Sequence, residues 1–286
     1  MDAEEVQGQA FTQWRAVLSF LAEEGAPSEE SQLAVAGIAD LLQFTGLVKT
    51  VDAAGVEVTQ EGYSFILKDV AVQLWTLIVA YKNKLASASE QQALVSLLCQ
   101  LGYCVPGEAY PMSSLEDMKR TMLDDLESFG LVVVSDDRSM FWPSTLALQL
   151  VSRSEAAADL EELRGSTRGV QVIVESNFKV VAFNAGKLDL TLLSFFTHME
   201  YMLPDAVVGT ITRSSMYAAF DKGITASHVE AFLRQRLDRD RLGSTATLPQ
   251  NVADQLYHWQ KERDRVTFTG GRLFSGFETA EEFQEV

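Results

Sequence analysis

Apolar residues recur at helical spacing from the start of the chain. In FTQWRAVLSFLAEE (residues 11–24), Phe11, Trp14, Leu18 and Leu21 fall three or four apart, one face of an amphipathic helix. Gly25 and Pro27 stop that helix. Ser28 is placed to cap the next, with Glu29 and Glu30 in its first turn, where carboxylates offset the helix dipole. The segment SQLAVAGIADLLQF continues as one apolar helix or two short ones, and Gly46 closes it as a C-cap. LVKTVDAAGVEVT (47–59) has Val-rich flanks around Asp52–Gly55 and predicts strand, turn and strand.

The same order returns. VAVQLWTLIVAYKNKL (70–85) places Leu74, Leu77, Ile78 and Tyr81 on one helical face, and EQQALVSLLCQL (90–101) is a second helix. SSLEDMKRTMLDDLESFG (113–130) is a third, with Ser113 and Glu116 spaced as a capping box. Its stripe is Leu115, Met118, Met122, Leu126 and Phe129, and Gly130 ends it. LVVVSDDRSMFWP (131–143) predicts a hairpin around Asp136–Asp137. "FTGLV…D" at 44–52 is thus echoed by "FGLV…D" at 129–136. Helices running through a Gly-capped turn into a hairpin follow the plan of a winged helix. Two readings fit: tandem winged-helix-like units at 1–66 and 67–151, or one larger α+β domain holding two hairpins.

Residues 152–169 carry no strand pattern and read as a linker with a short helix at 155–163. VQVIVESNFKVVAF (170–183) gives two β-runs around Glu175–Asn177. LDLTLLSFFTHMEYML (188–203) predicts one apolar helix ended by Pro204. A helix then starts at Ser214 or Ser215 and ends at Gly223. Thr225 caps another with Val229, Phe232 and Leu233 inward, the spacing of a helix-turn-helix. Pro249 opens a last helix whose narrow stripe is Val252, Leu256 and Trp259. Arg263 takes the next place on that stripe, inside a run of five charged residues, Lys261 to Arg265.

Charge narrows the function classes. The net charge is −17 over 286 residues. Residues 1–150 hold 8 Lys+Arg against 21 Asp+Glu, a balance of −13; the remainder holds 15 against 19, a balance of −4. The first half should therefore repel a phosphate backbone. No apolar run reaches the ~18–20 residues of a membrane span, and no membrane partner is expected. The N-terminus lacks the features of a secretory signal or transit peptide. Cys99 and Cys104 read as free thiols, and His198, His228 and His258 have no ligand partner at metal spacing, so no metal or cofactor is expected.

Phosphate-loop, dinucleotide, zinc-protease and nucleophile-elbow motifs do not occur. Without a nucleophile–base pair the pattern points away from an enzyme. A winged helix reads DNA with its third helix, but Glu116, Asp117, Asp124, Asp125 and Glu127 outweigh Lys119 and Arg120 there. These units suit protein docking better. Arg234, Arg236, Arg239 and Arg241, interrupted by Asp238 and Asp240, form either a phosphate-binding patch or, the reading favoured here, a self-paired or protein-contacting surface. A winged-helix DNA-binding transcription regulator is the alternative these features leave open.

ESNFKVVAF (175–183), TRSSMYAAFDKGITASHVEAFLR (212–234) and LPQNVADQLYHWQKERDR (248–265) resemble the fourth core subunit family of TFIIH, the general transcription and nucleotide-excision-repair factor; DVAVQLW (69–75) and QWRAVLSFL (13–21) fit it too. The resemblance implies an α+β, mostly helical, non-enzymatic nuclear scaffold: tandem winged-helix domains followed by a small αβ helix-turn-helix segment, here 170–247. That segment would anchor an XPB-type translocase and stimulate its ATPase. Other TFIIH core subunits are further implied partners, and DNA is contacted at most indirectly. Residues 248–286 would be a connecting helix and the start of a domain that pairs with the smallest TFIIH subunit. Family members carry helical domains before this chain begins and complete the pairing domain after it ends, so that last partnership is not expected of this chain alone. The implied contacts are Phe178, Lys179, Phe183, Arg213, Arg234, Arg236, Trp259 and Arg263, with Phe183 equally readable as a core residue.

Overall fold

The computed structural model describes residues 3–23, 35–51, 55–105, 107–151, 170–243, 246–266 and 270–271. The Gly25–Pro27 stop, the helix capped by Ser28, the tip of the first hairpin, the linker at 152–169 and the start of the pairing domain lie outside the described residues. Within them the protein is α+β and mostly helical, with three small antiparallel sheets.

The first part comprises α1 (Ala3–Ala22), α2 (Ala39–Phe44), the hairpin β1 (Val48–Val51) and β2 (Gly55–Val58), and α3 (Gln60–Ile66). There follow α4 (Val70–Lys84), α5 (Ala88–Gly102), β3 (Tyr110–Pro111), α6 (Asp117–Ser128), β4 (Val132–Val134), β5 (Met140–Pro143) and α7 (Thr145–Val151). Strands β3, β5 and β4 form a sheet in that order. The stripe Leu74, Leu77, Ile78 and Tyr81 is buried as its spacing predicts, and Met122, Leu126 and Phe129 of the α6 stripe are buried with it. Each such side chain contributes roughly 1.5–3 kcal/mol on leaving water.

The echo between the glycine turns is conformational. Gly46 and Gly130 have φ of 73° and 69°. After α2, Gly46 N–H donates to Gln43 O and Leu47 N–H to Leu42 O; after α6, Gly130 N–H donates to Glu127 O and Leu131 N–H to Leu126 O. Both are Schellman caps, and the residue after each glycine is buried. A Cβ at Gly130 would also stand 2.4 Å from the Ala10 carbonyl, so the turn is seated directly on α1.

The second part is a four-stranded antiparallel sheet in the order β6 (Gln171–Val174), β7 (Lys179–Phe183), β9 (Ala206–Thr210) and β8 (His198–Met202). Helix α8 (Lys187–Ser194) lies between β7 and β8 in sequence, and α9 (Arg213–Asp221), α10 (Ala226–Gln235), α11 (Arg239–Leu242) and α12 (Gln250–Arg263) follow the sheet. The outer side of β6 is covered: Val172 N–H donates to Arg236 O at 2.7 Å, and Asp238 N–H to Val172 O at 2.9 Å. β8 is the other outermost strand. It carries a bulge between Met199 and Tyr201, and Tyr201, Met202 and Leu203 beyond it are exposed.

Three expectations are corrected. The segment 188–203 is not one helix: it leaves α8 at Ser194 and re-enters as β8. The helix expected at Ser214 or Ser215 begins at Arg213, capped by Thr212, because Thr212 Oγ1 accepts the Ser215 N–H at 3.1 Å and Ser215 Oγ accepts the Thr212 N–H at 3.0 Å. Ser113 caps no helix. Tyr110 and Pro111 pair with Phe141 and Met140, a 3-10 turn follows at Met112–Ser114, and α6 starts only at Asp117.

One contiguous core runs through both parts. The Tyr63 ring meets Phe195 edge-on at 5.5 Å, Lys222 lies over both rings, and Gln60 Nε2 donates to Asp221 O. The Arg15 guanidinium donates to Asp189 Oδ2 at 3.1 Å, joining α1 to α8.

Candidate partner-binding site

The candidate residues fall on the sheet and on the helices packed along α12. In the turn before β7, Asn177 Oδ1 accepts the Lys179 N–H at 3.0 Å, and Phe178 takes a left-handed φ of 70°. That twist lays the Phe178 ring on Trp259 at 5.7 Å. Val252 and Leu256 are fully buried, so three turns of α12 are anchored by Val252, Leu256 and Trp259 as the stripe predicts. Lys179 projects half-buried beside Glu200, 3.9 Å away, linking β7 to β8.

Arg213, at the first position of α9, donates to Tyr217 Oη at 3.0 Å and pairs with Glu262 at 3.1 Å. Arg263 pairs with Asp221, at the last position of α9, at 2.8 Å, and lies 5.8 Å from the Phe220 ring centre. Arg234 pairs with Glu230 along α10 at 2.7 Å. The Tyr257 hydroxyl donates to the same Glu230 carboxylate, also at 2.7 Å. These hydrogen bonds, the Tyr257 one first, hold the Glu230 carboxyl below the usual carboxylate range.

Phe178, Trp259, Arg213, Arg234 and Arg263 are therefore brought together around one helix. Phe183 and Arg236 are not. Phe183 closes β7 under the Arg241 guanidinium at 3.8 Å, and Arg236 lies over Phe232 at 3.9 Å. Arg234, Arg236 and Arg241 each have a partner within the chain, as a self-paired surface would. The residues that reading the sequence missed are the partners: Tyr217, Asp221, Glu230, Tyr257 and Glu262. One signal for them was available. Arg213 and Asp221 sit at the ends of α9 that a helix dipole disfavours, and so invite outside partners.

Among the described residues there is no group of three or more His, Cys, Asp or Glu placed to hold a metal, and no helix long and apolar enough to cross a membrane.

Residues 1–239 match the family described as "Transcription factor Tfb2", and residues 254–286 match "Transcription factor Tfb2 (p52) C-terminal domain". The chain is 32% identical over 278 residues to "General transcription factor IIH subunit 4" of Dictyostelium discoideum, covering 94% of this chain and 56% of that protein. It is 30% identical over 288 residues to "General transcription and DNA repair factor IIH subunit TFB2" of Arabidopsis thaliana, covering 98% and 61%. With the Saccharomyces cerevisiae protein of the same description it shares 28% over 330 residues, covering 94% and 64%. The chain thus spans less than two thirds of the length of these relatives. A match over 239 of 286 residues is decisive: the chain belongs to the transcription factor Tfb2 family.

Proposed function

We propose that this protein is a non-catalytic scaffold subunit of TFIIH, acting in the nucleus in transcription initiation and nucleotide excision repair. It anchors an XPB-type translocase through residues 170–247 and stimulates its ATPase, and it holds other core subunits through tandem winged-helix units at 1–66 and 67–151. The observation that carries this reading is the family match over residues 1–239, to relatives described as subunits of factor IIH. The two Schellman-capped hairpins and the β3-β5-β4 sheet support the winged-helix units. The acidic α6 supports protein docking over DNA reading. For the 170–247 segment, support comes from the sheet itself. β8 is an outermost strand and exposes Tyr201, Met202 and Leu203, a row suited to a partner strand or apolar side chains. The candidate contacts remain Phe178, Lys179, Phe183, Arg213, Arg234, Arg236, Trp259 and Arg263. Phe178 and Trp259 contribute by packing α12 on the sheet, and Lys179 by its place beside β8.

The test is retention of the purified chain on an immobilised XPB-type translocase, with ATP hydrolysis followed in parallel. The wild type is expected to be retained and to raise hydrolysis. Tyr201→Asp with Met202→Asp, both on the surface, is expected to lose retention by tenfold or more, about 1.4 kcal/mol, with unchanged circular dichroism. A wild type that neither binds nor stimulates would sink the scaffold reading. Binding that survives the double substitution would move the contact off β8.

A further inference from the structure

Helix α9 carries its charges the wrong way round. A helix N-terminus favours anions and its C-terminus cations. Yet Arg213 opens α9 and Asp221 closes it, with no acidic residue in the first turn and no basic residue in the last. Both positions work against the local dipole. Glu262 does the same in the last turn of α12. All three disfavoured charges pair across the two helices, with Arg263 as the fourth member: Arg213 with Glu262 at 3.1 Å, and Asp221 with Arg263 at 2.8 Å. Glu262 and Arg263 are adjacent in sequence, whereas Arg213 and Asp221 stand at opposite ends of a nine-residue helix. The end of α12 therefore straddles α9, with Tyr217 and Phe220 beneath it: Tyr217 Oη lies 3.4 Å from Glu262 and the Phe220 ring 5.8 Å from Arg263.

We propose that the two opposed ion pairs form a polarity lock, which fixes the rotation of α12 on α9 and hence the direction in which the chain leaves the 170–266 module. The apolar anchors cannot do this alone. Val252, Leu256 and Trp259 end one turn earlier, and the hydrogen bonds of Tyr257 to Glu230 at 2.7 Å and of the Ala226 N–H to Gln260 Oε1 at 2.8 Å hold α12 on its α10 side, so on the α9 side its last turn is held by the ion pairs. A single ion pair would act as a pivot. Two pairs of opposite sign at the two ends of α9 favour one orientation, because turning α12 toward either end brings like charges together. The run of alternating charge at 261–265 is thereby explained as an addressing device for the segment that follows. This rests on the scaffold reading only for what that segment meets, and its test reads geometry rather than partner binding, so the two can fail separately.

The test uses the full chain with Cys99→Ser and Cys104→Ser, spin-labelled at Lys261→Cys and Lys187→Cys, both exposed positions. The interlabel distance is measured by double electron–electron resonance. Arg213→Glu with Asp221→Arg improves the electrostatics of α9 itself and breaks both cross-pairs, so the variant is expected to fold while losing the single narrow distribution of its parent. Adding Glu262→Arg and Arg263→Glu re-forms both pairs with sign exchanged, and is expected to restore that distribution. A distribution unchanged by the first pair of substitutions would overturn the lock, since the apolar anchors and the hydrogen bonds to α10 would then suffice. Broadening that the second pair fails to reverse would overturn it equally, since the effect would not be pairing.

Discussion

Gln73 is 1% exposed, and its amide nitrogen donates at 2.9 Å to two carbonyls, those of Phe65 and Ile66. These belong to the last turn of α3, where no intrahelical partner exists. One side chain of α4 thus closes the end of the preceding helix and fixes the angle between them. The sequence shows Gln73 as an interruption in an apolar run, which misstates its part: its amide nitrogen is used, although its Oε1 is buried without a partner. Gln73→Met keeps shape and volume but removes the side-chain donor from both carbonyls, leaving Phe65 O with the Lys68 N–H at 3.1 Å and Ile66 O without its Gln73 donor. It is expected to cost about 1–3 kcal/mol, read as a lower urea midpoint at unchanged slope. Trp75→Ala, on the exposed side of the same helix, is expected to move stability by no more than about 0.5 kcal/mol. Equal midpoints for wild type and Gln73→Met would remove this account of how α3 ends.

At the scale of elements, α10 shows how a cap couples to pH. Thr225 Oγ1 accepts the His228 N–H, and His228 Nδ1 accepts the Thr225 N–H at 3.3 Å, a reciprocal cap with histidine in the third position. Burial first, and then the charge of Lys68, push the imidazole below its ordinary 6.5. Below that value the unfolded chain binds a proton that the folded chain refuses. The stability of the neutral cap is therefore complete above about pH 6.5 and lost as pH falls through the depressed folded value. The thermal midpoint is expected to drop between pH 7 and 5.5, and His228→Gln, which keeps the cap without a titrating ring, to flatten that drop. An unchanged slope in His228→Gln would show that other groups set it. Elements of this kind were legible where local chemistry decides. Thr225 announced its helix, Leu74 to Tyr81 their buried face, and Gly46 and Gly130 their turns. Legibility failed where distant pairing decides. Leu188, Leu192, Phe195, Phe196 and Met199 keep helical spacing through 188–203, yet Met199 to Met202 pair with Gly209 to Val207 and become strand. Ser113 has the spacing of a cap, but pairing of Tyr110 and Pro111 with β5 holds the chain extended just before it. The candidate site was legible to the same degree. Trp259 and the arginines stood out by type, while Asp221, Glu230 and Glu262 are ordinary surface carboxylates until the helices cross.

Across the whole molecule, the division read from the sequence at 152–169 meets a continuous core. Arg15 on α1 reaches Asp189 on α8. That carboxylate is 12% exposed and also accepts the Gly186 N–H at 3.1 Å, so it is held in place before Arg15 arrives. Around it the contact is apolar and close. Tyr63 stands edge-on to Phe195, and a Cβ at Gly223 would lie 2.6 Å from Gln60. Contacts so near are expected to persist without a covalent tether, which would then contribute mainly effective concentration. A protease site placed within 152–169 separates these two contributions. After complete cleavage, fragments 1–151 and 170–286 are expected to elute together on size exclusion at micromolar concentration. Tyr63→Ala combined with Arg15→Glu removes the ring contact and reverses the ion pair, and is expected to let the cleaved fragments part while the uncleaved chain stays folded. Fragments of the wild type that separate on cleavage would mean that the tether, not the interface, unites the molecule. Fragments that stay together carry a consequence for the proposed scaffold role: a load applied at the sheet module would be borne by α1 and α3, so that any partner held at 170–247 would be rigidly referred to any partner held at 1–151.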